Sequence, residues 1–114
     1  MMQISLTTTG RRTGIPRKVT LYAFPDADRL VVVGSLGGAP RDPWWAANLR
    51  AEPRATVHIG RDVREVRATE VDGPERDRLW HLVCEGFPMY ATYQRQTTRM
   101  IPLFALEPAR RVPG

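Results

Sequence analysis

Four short stretches of the chain concentrate residue types that can do chemistry. The first, Gly10-Arg11-Arg12-Thr13-Gly14-Ile15-Pro16-Arg17-Lys18, sets four cations into the eight positions from 11 to 18. Like charges at that density repel one another unless solvent or an anion screens them. Glycine turns let backbone N–H groups converge on an anion, and each arginine offers a two-pronged donor for phosphate or carboxylate. A solvated hairpin turn accounts for the same composition equally well. No Gly-Lys-Ser/Thr follows, so the stretch is not a Walker loop.

The second stretch, Gly34-Ser35-Leu36-Gly37-Gly38, is a flexible glycine loop after an apolar run, where a backbone can approach a flat ligand or a phosphate; any surface turn has a similar look. The third is Pro43-Trp44-Trp45-Ala46-Ala47-Asn48-Leu49. Successive helical residues point about 100° apart, so the two tryptophans cannot both face one core. Either one lines a ligand groove or subunit interface, or one packs inside while its neighbour stays partly exposed. The fourth, Phe87-Pro88-Met89-Tyr90-Ala91-Thr92-Tyr93, carries aromatics three apart on one side of a helical turn. A phenol there can donate a proton or hydrogen-bond a substrate, although a plain packing stripe gives the same spacing.

Other chemistries find no support. His58 sits within an apolar strand and His81 on a polar helix flank, with no chelating spacing between them, so no metal site is expected. There is no Gly-x-Ser-x-Gly elbow and no Gly-x-Gly-x-x-Gly fingerprint. Cys84 is the one cysteine. It excludes an internal disulfide, reads as a small buried hydrophobe, and fits a reducing cytoplasm. The 17 Lys+Arg against 12 Asp+Glu give +5, which favours anionic partners. Apart from positions 11–18 the cations are scattered, unlike the basic, aromatic-interleaved stripe of a nucleic-acid binder. No apolar run reaches roughly 18 residues, so no transmembrane helix is expected. Met1-Met2-Gln3-Ile4-Ser5-Leu6 lacks the features of a signal peptide.

The elements that must position these stretches are short. Ten prolines and nine glycines punctuate a chain of 114 residues that is 42% hydrophobic and 25% charged, as in one domain of many short strands. Strands are predicted over 4–9, 18–24, 30–33, 55–59, 63–69 and 100–106. The second and third form a hairpin, and the fifth has one wet face. Pro102 predicts an edge or a bulge for the last strand. Asp42 is predicted to cap a helix over 44–50, with Pro43 at its first position. Asp72-Gly73-Pro74-Glu75 has the spacing of a capping box for a helix to about Cys84, with Leu79, Leu82 and Val83 on its apolar face. A further helical piece spans 89–96. Strands dominate, and closing them into a barrel would remove the edges. The fold class is mainly β (α+β), one domain over 1–114.

In order, LTTTGRRTGIPRKVTLY, VVVGSLGG, DPWWAANLRAEPRATVHI and YATYQRQTTRMIPLFALEP resemble the deazaflavin-dependent nitroreductase family of actinobacteria, from about Leu6 to Pro108. The resemblance implies a split β-barrel, akin to FMN-binding and pyridoxamine-phosphate-oxidase-like proteins, with short flanking helices. It implies binding of coenzyme F420 and hydride transfer to quinones, nitroimidazoles or other electron-poor acceptors. Arg11, Arg12 and Thr13 would lie beside the coenzyme, with Arg17, Lys18, Val19, Thr20, Leu21 and Tyr22 along the next strand. Val33, Gly34, Ser35 and Leu36 would pass the phosphate and ring by their backbone. Trp44, Trp45, Ala46, Ala47 and Asn48 would face the deazaflavin, and Tyr90 would reach its ring. Tyr22, Ser35, Phe87, Tyr90 and Tyr93 would border the acceptor, with Ser35 and Tyr90 orienting it or moving a proton.

Three departures from the family pattern stand out. Leu36 replaces a frequent lysine, Phe87 replaces a frequent tyrosine, and the usual N-terminal helix is missing before the Leu-Thr-Thr-Thr-Gly motif. The last bears on acceptor range and on peripheral membrane association. The resemblance also implies a homodimer acting on a small-molecule acceptor. Two rival readings remain: the same barrel with FMN, or a non-catalytic flavin or deazaflavin carrier.

Overall fold

A computed structural model describes residues 1–109. Its elements run β1 (Met2–Thr9), β2 (Pro16–Asp26), β3 (Arg29–Val33), α1 (Trp44–Ala51), β4 (Arg54–Ile59), β5 (Asp62–Glu70), α2 (Gly73–Gly86), α3 (Met89–Arg95) and β6 (Leu103–Pro108). The strands close into an antiparallel barrel in the order β1-β2-β3-β6-β5-β4. Every strand therefore has two neighbours, although β2 meets β3 only over Phe24–Asp26, so that its first part pairs with β1 alone.

Period-two alternation explains the simpler strands. Ile4, Leu6 and Thr8 of β1 are buried in the barrel while Ser5, Thr7 and Thr9 face outward. β1 pairs with β2 from Met2↔Ala23 to Thr9↔Pro16, and with β4 at Ser5↔His58. β3 and β6 read instead as unbroken apolar runs because both their faces are covered. Leu30, Val32, Phe104 and Leu106 point into the barrel; Val31, Val33, Leu103 and Ala105 point out, under α2 and α3. On α2, Leu79 and Val83 are fully buried against that outer layer, as their spacing predicts. α1 closes the barrel interior, placing Trp45 edge-on to Phe104 at 5.9 Å with Leu49 beside it.

Three expectations need correction. β6 is not an edge strand: it pairs with β3 at Leu30↔Leu106 and with β5 at Ala68↔Leu106. Pro102 lies just before it, where its missing N–H costs no ladder bond and its carbonyl accepts the Gly34 N–H at 2.8 Å. Asp42 does not cap α1. Pro43, in extended conformation, directly precedes Trp44, and the Asp42 carboxylate is taken by Arg50 and Arg99. Asp72 does stand at the head of α2 but makes no side-chain cap bond; its carbonyl accepts the Arg76 N–H instead.

Beside the β2–β3 hairpin an ion network pins α2 to the barrel. Arg29 donates to Asp26 and Glu75, each at 2.6 Å, and Arg78 forks onto both Asp26 oxygens at 3.0 Å. These donors hold the Asp26 carboxyl at about 2, with the Arg78 bond the largest cause and the Arg29 bond next.

Candidate functional site

The β1–β2 connection is a turn closed by its own backbone. Gly10 N–H donates to Ile15 O at 2.9 Å and Gly14 N–H to Gly10 O at 2.8 Å, while Thr13 Oγ1 accepts the Ile15 N–H at 3.2 Å. A Cβ at position 10 would lie 2.9 Å from both Ile15 O and Thr13 Oγ1, so the turn needs glycine there. Asn48 then fastens the turn to the rest of the fold. Only 2% exposed, it donates from Nδ2 to Thr8 Oγ1 at 3.1 Å and accepts at Oδ1 from Arg11 N and Arg11 Nη1, both at 3.1 Å.

The result is an open cleft of about 350 Å³ lined by Gly10, Arg11, Arg12, Thr13, Arg17, Trp44 and Asn48. Among the described residues, no carboxylate lines it. Among the described residues, the arginines in salt bridges are Arg29, Arg50, Arg54, Arg64, Arg78 and Arg99; Arg11, Arg12 and Arg17 are in none. Trp44, 44% exposed at the first position of α1, adds an indole face to this wall while Trp45 is buried. An α-helix N-terminus adds unsatisfied N–H groups and a positive dipole end. The cleft can therefore receive a group that is both anionic and planar.

A second turn, Gly34 to Ala39, sits between β3 and α1. Its shape is held from behind by Arg99, whose guanidinium donates to Gly34 O (3.1 Å), Ser35 O (2.7 Å) and Ala39 O (2.8 Å) and to Asp42 Oδ1 (2.9 Å). Gly38 packs so closely on α3 that a Cβ would lie 3.0 Å from Tyr93 O.

The aromatic cluster gathers where α3 and the α2–α3 junction meet β2. Phe87 lies 4.8 Å from Tyr90, 6.2 Å from Tyr22 and 6.4 Å from Tyr93, and Tyr90 stands edge-on to Phe24 at 5.8 Å. Burial, the main cause, together with Tyr22 and Tyr93, pushes the Tyr90 phenol up to about 12. It therefore keeps its proton across the physiological range, as a hydrogen-bond donor must.

The sequence-predicted residues divide by location. Arg11, Arg12, Thr13, Arg17, Trp44 and Asn48 share the cleft. Lys18, Thr20 and Tyr22 face outward along β2, whereas Val19 and Leu21 pack against the barrel core. Val33, Trp45 and Ala46 are buried and Ala47 half-buried. Ser35 is half-buried and Leu36 exposed on the second turn. Ser35, Phe87, Tyr90 and Tyr93 are outside the cleft lining. Asp42 and Arg99 escape sequence reasoning as site residues, because nothing local to either one marks its partner 57 positions away.

The F420H(2)-dependent quinone reductase family model matches residues 1–108. The chain belongs to this family. It is an oxidoreductase, and its coenzyme is F420. An F420H(2)-dependent quinone reductase of Mycobacterium tuberculosis is 38% identical over 104 residues, covering 89% of this chain and 70% of the relative. A solved structure described as an F420-H2 dependent reductase superposes with a TM-score of 0.85 at 38% identity, covering 92% of this chain and 93% of that one. A domain-swapped dimer superposes equally well, at TM-score 0.85 and 38% identity, covering 92% of this chain and 79% of that one. A pyridoxamine 5′-phosphate-oxidase-like protein of Listeria innocua shares the fold alone, at TM-score 0.68 and 14% identity, covering 96% of this chain and 86% of that one.

The donor set fits such a coenzyme. A deazaflavin with a phosphorylated, acidic tail needs cations without competing carboxylates and a flat apolar surface, and the cleft supplies Arg11, Arg12, Arg17 and Trp44. Among the described residues, no helix is long and apolar enough to cross a membrane.

Proposed function

We propose that this family member reduces quinones and related electron-poor acceptors, holding F420 between the cationic cleft and the aromatic cluster of α3. The observation that carries the placement is the cleft, with three arginines free of carboxylates beside an exposed indole. When bound, the reduced deazaflavin supplies a hydride; orientation, water exclusion and proton placement fall to this chain's residues. Arg11, Arg12, Arg17 and Lys18 hold the anionic end. Val33, Gly34, Ser35 and Leu36 border the coenzyme by backbone, as do the outward residues of β2. Trp44 gives the planar ring a surface, and Asn48 keeps the Arg11 turn in place.

On the acceptor side, Tyr22, Phe87 and Tyr93 exclude water around Tyr90 and Ser35. Tyr90 Oη retains its proton and donates a hydrogen bond to an acceptor oxygen, and Ser35 Oγ orients the same group. Nitroaromatics fit this description as well as quinones do, since both present oxygens that gain charge on reduction. The working unit is a homodimer in the cytoplasm; the Cys84 thiol suits a reducing compartment.

Fluorescence titration of the purified protein with F420 and with FMN, followed by oxidation of reduced F420 with menadione, tests the reading. Saturable F420 binding with menadione-dependent turnover supports it. Tight FMN binding without F420 binding overturns it, and F420 binding without any turnover reduces the protein to a carrier. Light scattering tests the dimer, and a monomer at assay concentration removes it.

A further inference from the structure

We propose that Arg99 is a positioning residue for the coenzyme site, fixing the Gly34–Ala39 turn against the start of α1 through Asp42. The inference rests on the reading that the Ser35 turn borders the phosphorylated end of F420. Arg99 is not among the cleft-lining residues, and its guanidinium bonds run to the turn and to Asp42, so its effect is exerted through the turn.

The geometry is specific to a guanidinium. The Arg99 side chain is 13% exposed. Its Nε, Nη1 and Nη2 donate to Ala39 O, Gly34 O and Ser35 O, with Nη1 also meeting Asp42 Oδ1 at 2.9 Å. A planar fork aims several donors at once; an ammonium cannot hold that pattern. A planar trans peptide points its C=O and N–H in opposite directions. Fixing Gly34 O and Ser35 O on the guanidinium therefore turns the Ser35 and Leu36 N–H groups to the far side of the turn.

The turn needs such a clamp. Leu36 has φ of 44°, in the left-handed region that non-glycine residues avoid, and Gly37 (φ 61°) and Gly38 (φ 83°) follow it. Two of these residues have no side chain to pack, and Leu36 is exposed. Asp42 makes the clamp a joint: Oδ1 takes Arg99, and Oδ2 takes Arg50 Nη1 at 2.8 Å. Arg50 lies on α1, the helix that begins at the cleft residue Trp44. It also forks onto Glu70 of β5 at 2.8 and 2.9 Å. The chain Arg99–Asp42–Arg50–Glu70 thus sets the separation between the Ser35 turn and the indole wall.

The test compares F420 with 5-deazariboflavin, which carries the ring and ribityl chain but no phosphate or acidic tail. Arg99→Met is expected to raise the Kd for F420 about tenfold, the effect of one charge-assisted bond. The Kd for 5-deazariboflavin should stay within about twofold. KM for reduced F420 should rise in parallel, by more than kcat at saturation falls. Arg99→Lys should recover only part of the loss. Asp42→Asn, which leaves Arg99 in place, should shift F420 affinity the same way by less, and keeps the test available if Arg99→Met fails to fold. Unchanged F420 affinity in both the Arg99→Met and Asp42→Asn variants, or equal losses for the two ligands, overturns the inference. Equal affinity of the unsubstituted protein for the two ligands overturns the underlying placement of the Ser35 turn instead.

Discussion

β2 joins two groups of arginines that do opposite work. At its start, Arg11, Arg12 and Arg17 line a cleft without a carboxylate. At its end, Arg29 and Arg78 are neutralised by Asp26 and Glu75 at 2.6–3.1 Å. Cations held close together without a carboxylate repel one another, so their use lies in what they attract. Paired cations on the hairpin and α2 do the reverse: their fields are spent on neighbours, and what remains is structure. The net +5 of the chain is thus less informative than where its compensation fails.

Substitutions at the two ends should separate binding from stability. The largest effect is expected for Arg12→Glu, which converts an attraction into a repulsion in the cleft. F420 affinity should fall by about a hundredfold in low salt, less in high salt, while the unfolding midpoint barely moves. Loss of stability matching the loss of affinity would erase the division between the two ends.

Asn48→Leu lies between the extremes, since Asn48 joins the cleft turn to the barrel. Removing its amide strands Thr8 Oγ1 and frees Arg11, so a loss of about 1–3 kcal/mol in stability is expected together with weaker F420 binding. Calorimetry and the same titration check both halves. Arg29→Ala should act on stability alone, by about 1–2 kcal/mol in urea unfolding, with F420 affinity unchanged. A binding defect there would show that the far end communicates with the cleft.

The smallest effect is the pH dependence that Asp26 confers. Its folded value of about 2 lies below the usual 3.8. Its contribution is therefore complete above pH 4 and is lost as pH falls from there through 2. The urea midpoint should decline across that acid window, and Asp26→Asn should flatten that part of the profile.

Much of this architecture was legible in the sequence, for reasons that particular elements make clear. Alternation in β1 and β2 and the Leu79–Val83 stripe of α2 are one-dimensional records of burial, so they survive without coordinates. Adjacent helical residues point about 100° apart, and accordingly Trp45 is 3% and Trp44 44% exposed. The misreading of β6 came from treating Pro102 as part of the strand. A proline one position before a ladder removes no bond, and only the pairing on both sides reveals that. Asp42 misled for a related reason: Asp before a helix suits a cap, but two arginines from distant segments compete for it more strongly than backbone N–H groups do.

By itself, the sequence determined the set of parts: six β segments, three helices, a cationic glycine turn, an exposed indole and an aromatic triplet at 87, 90 and 93, since periodicity, turn residues and local charge are properties of neighbours along the chain. Tertiary structure alone decided which parts meet. Asn48 reaches Thr8 and Arg11 across 40 and 37 positions, and Arg99 reaches the Ser35 turn across 64. Such bonds depend on barrel closure, which brings distant segments within about 3 Å of one another without leaving a local trace in the order of residues.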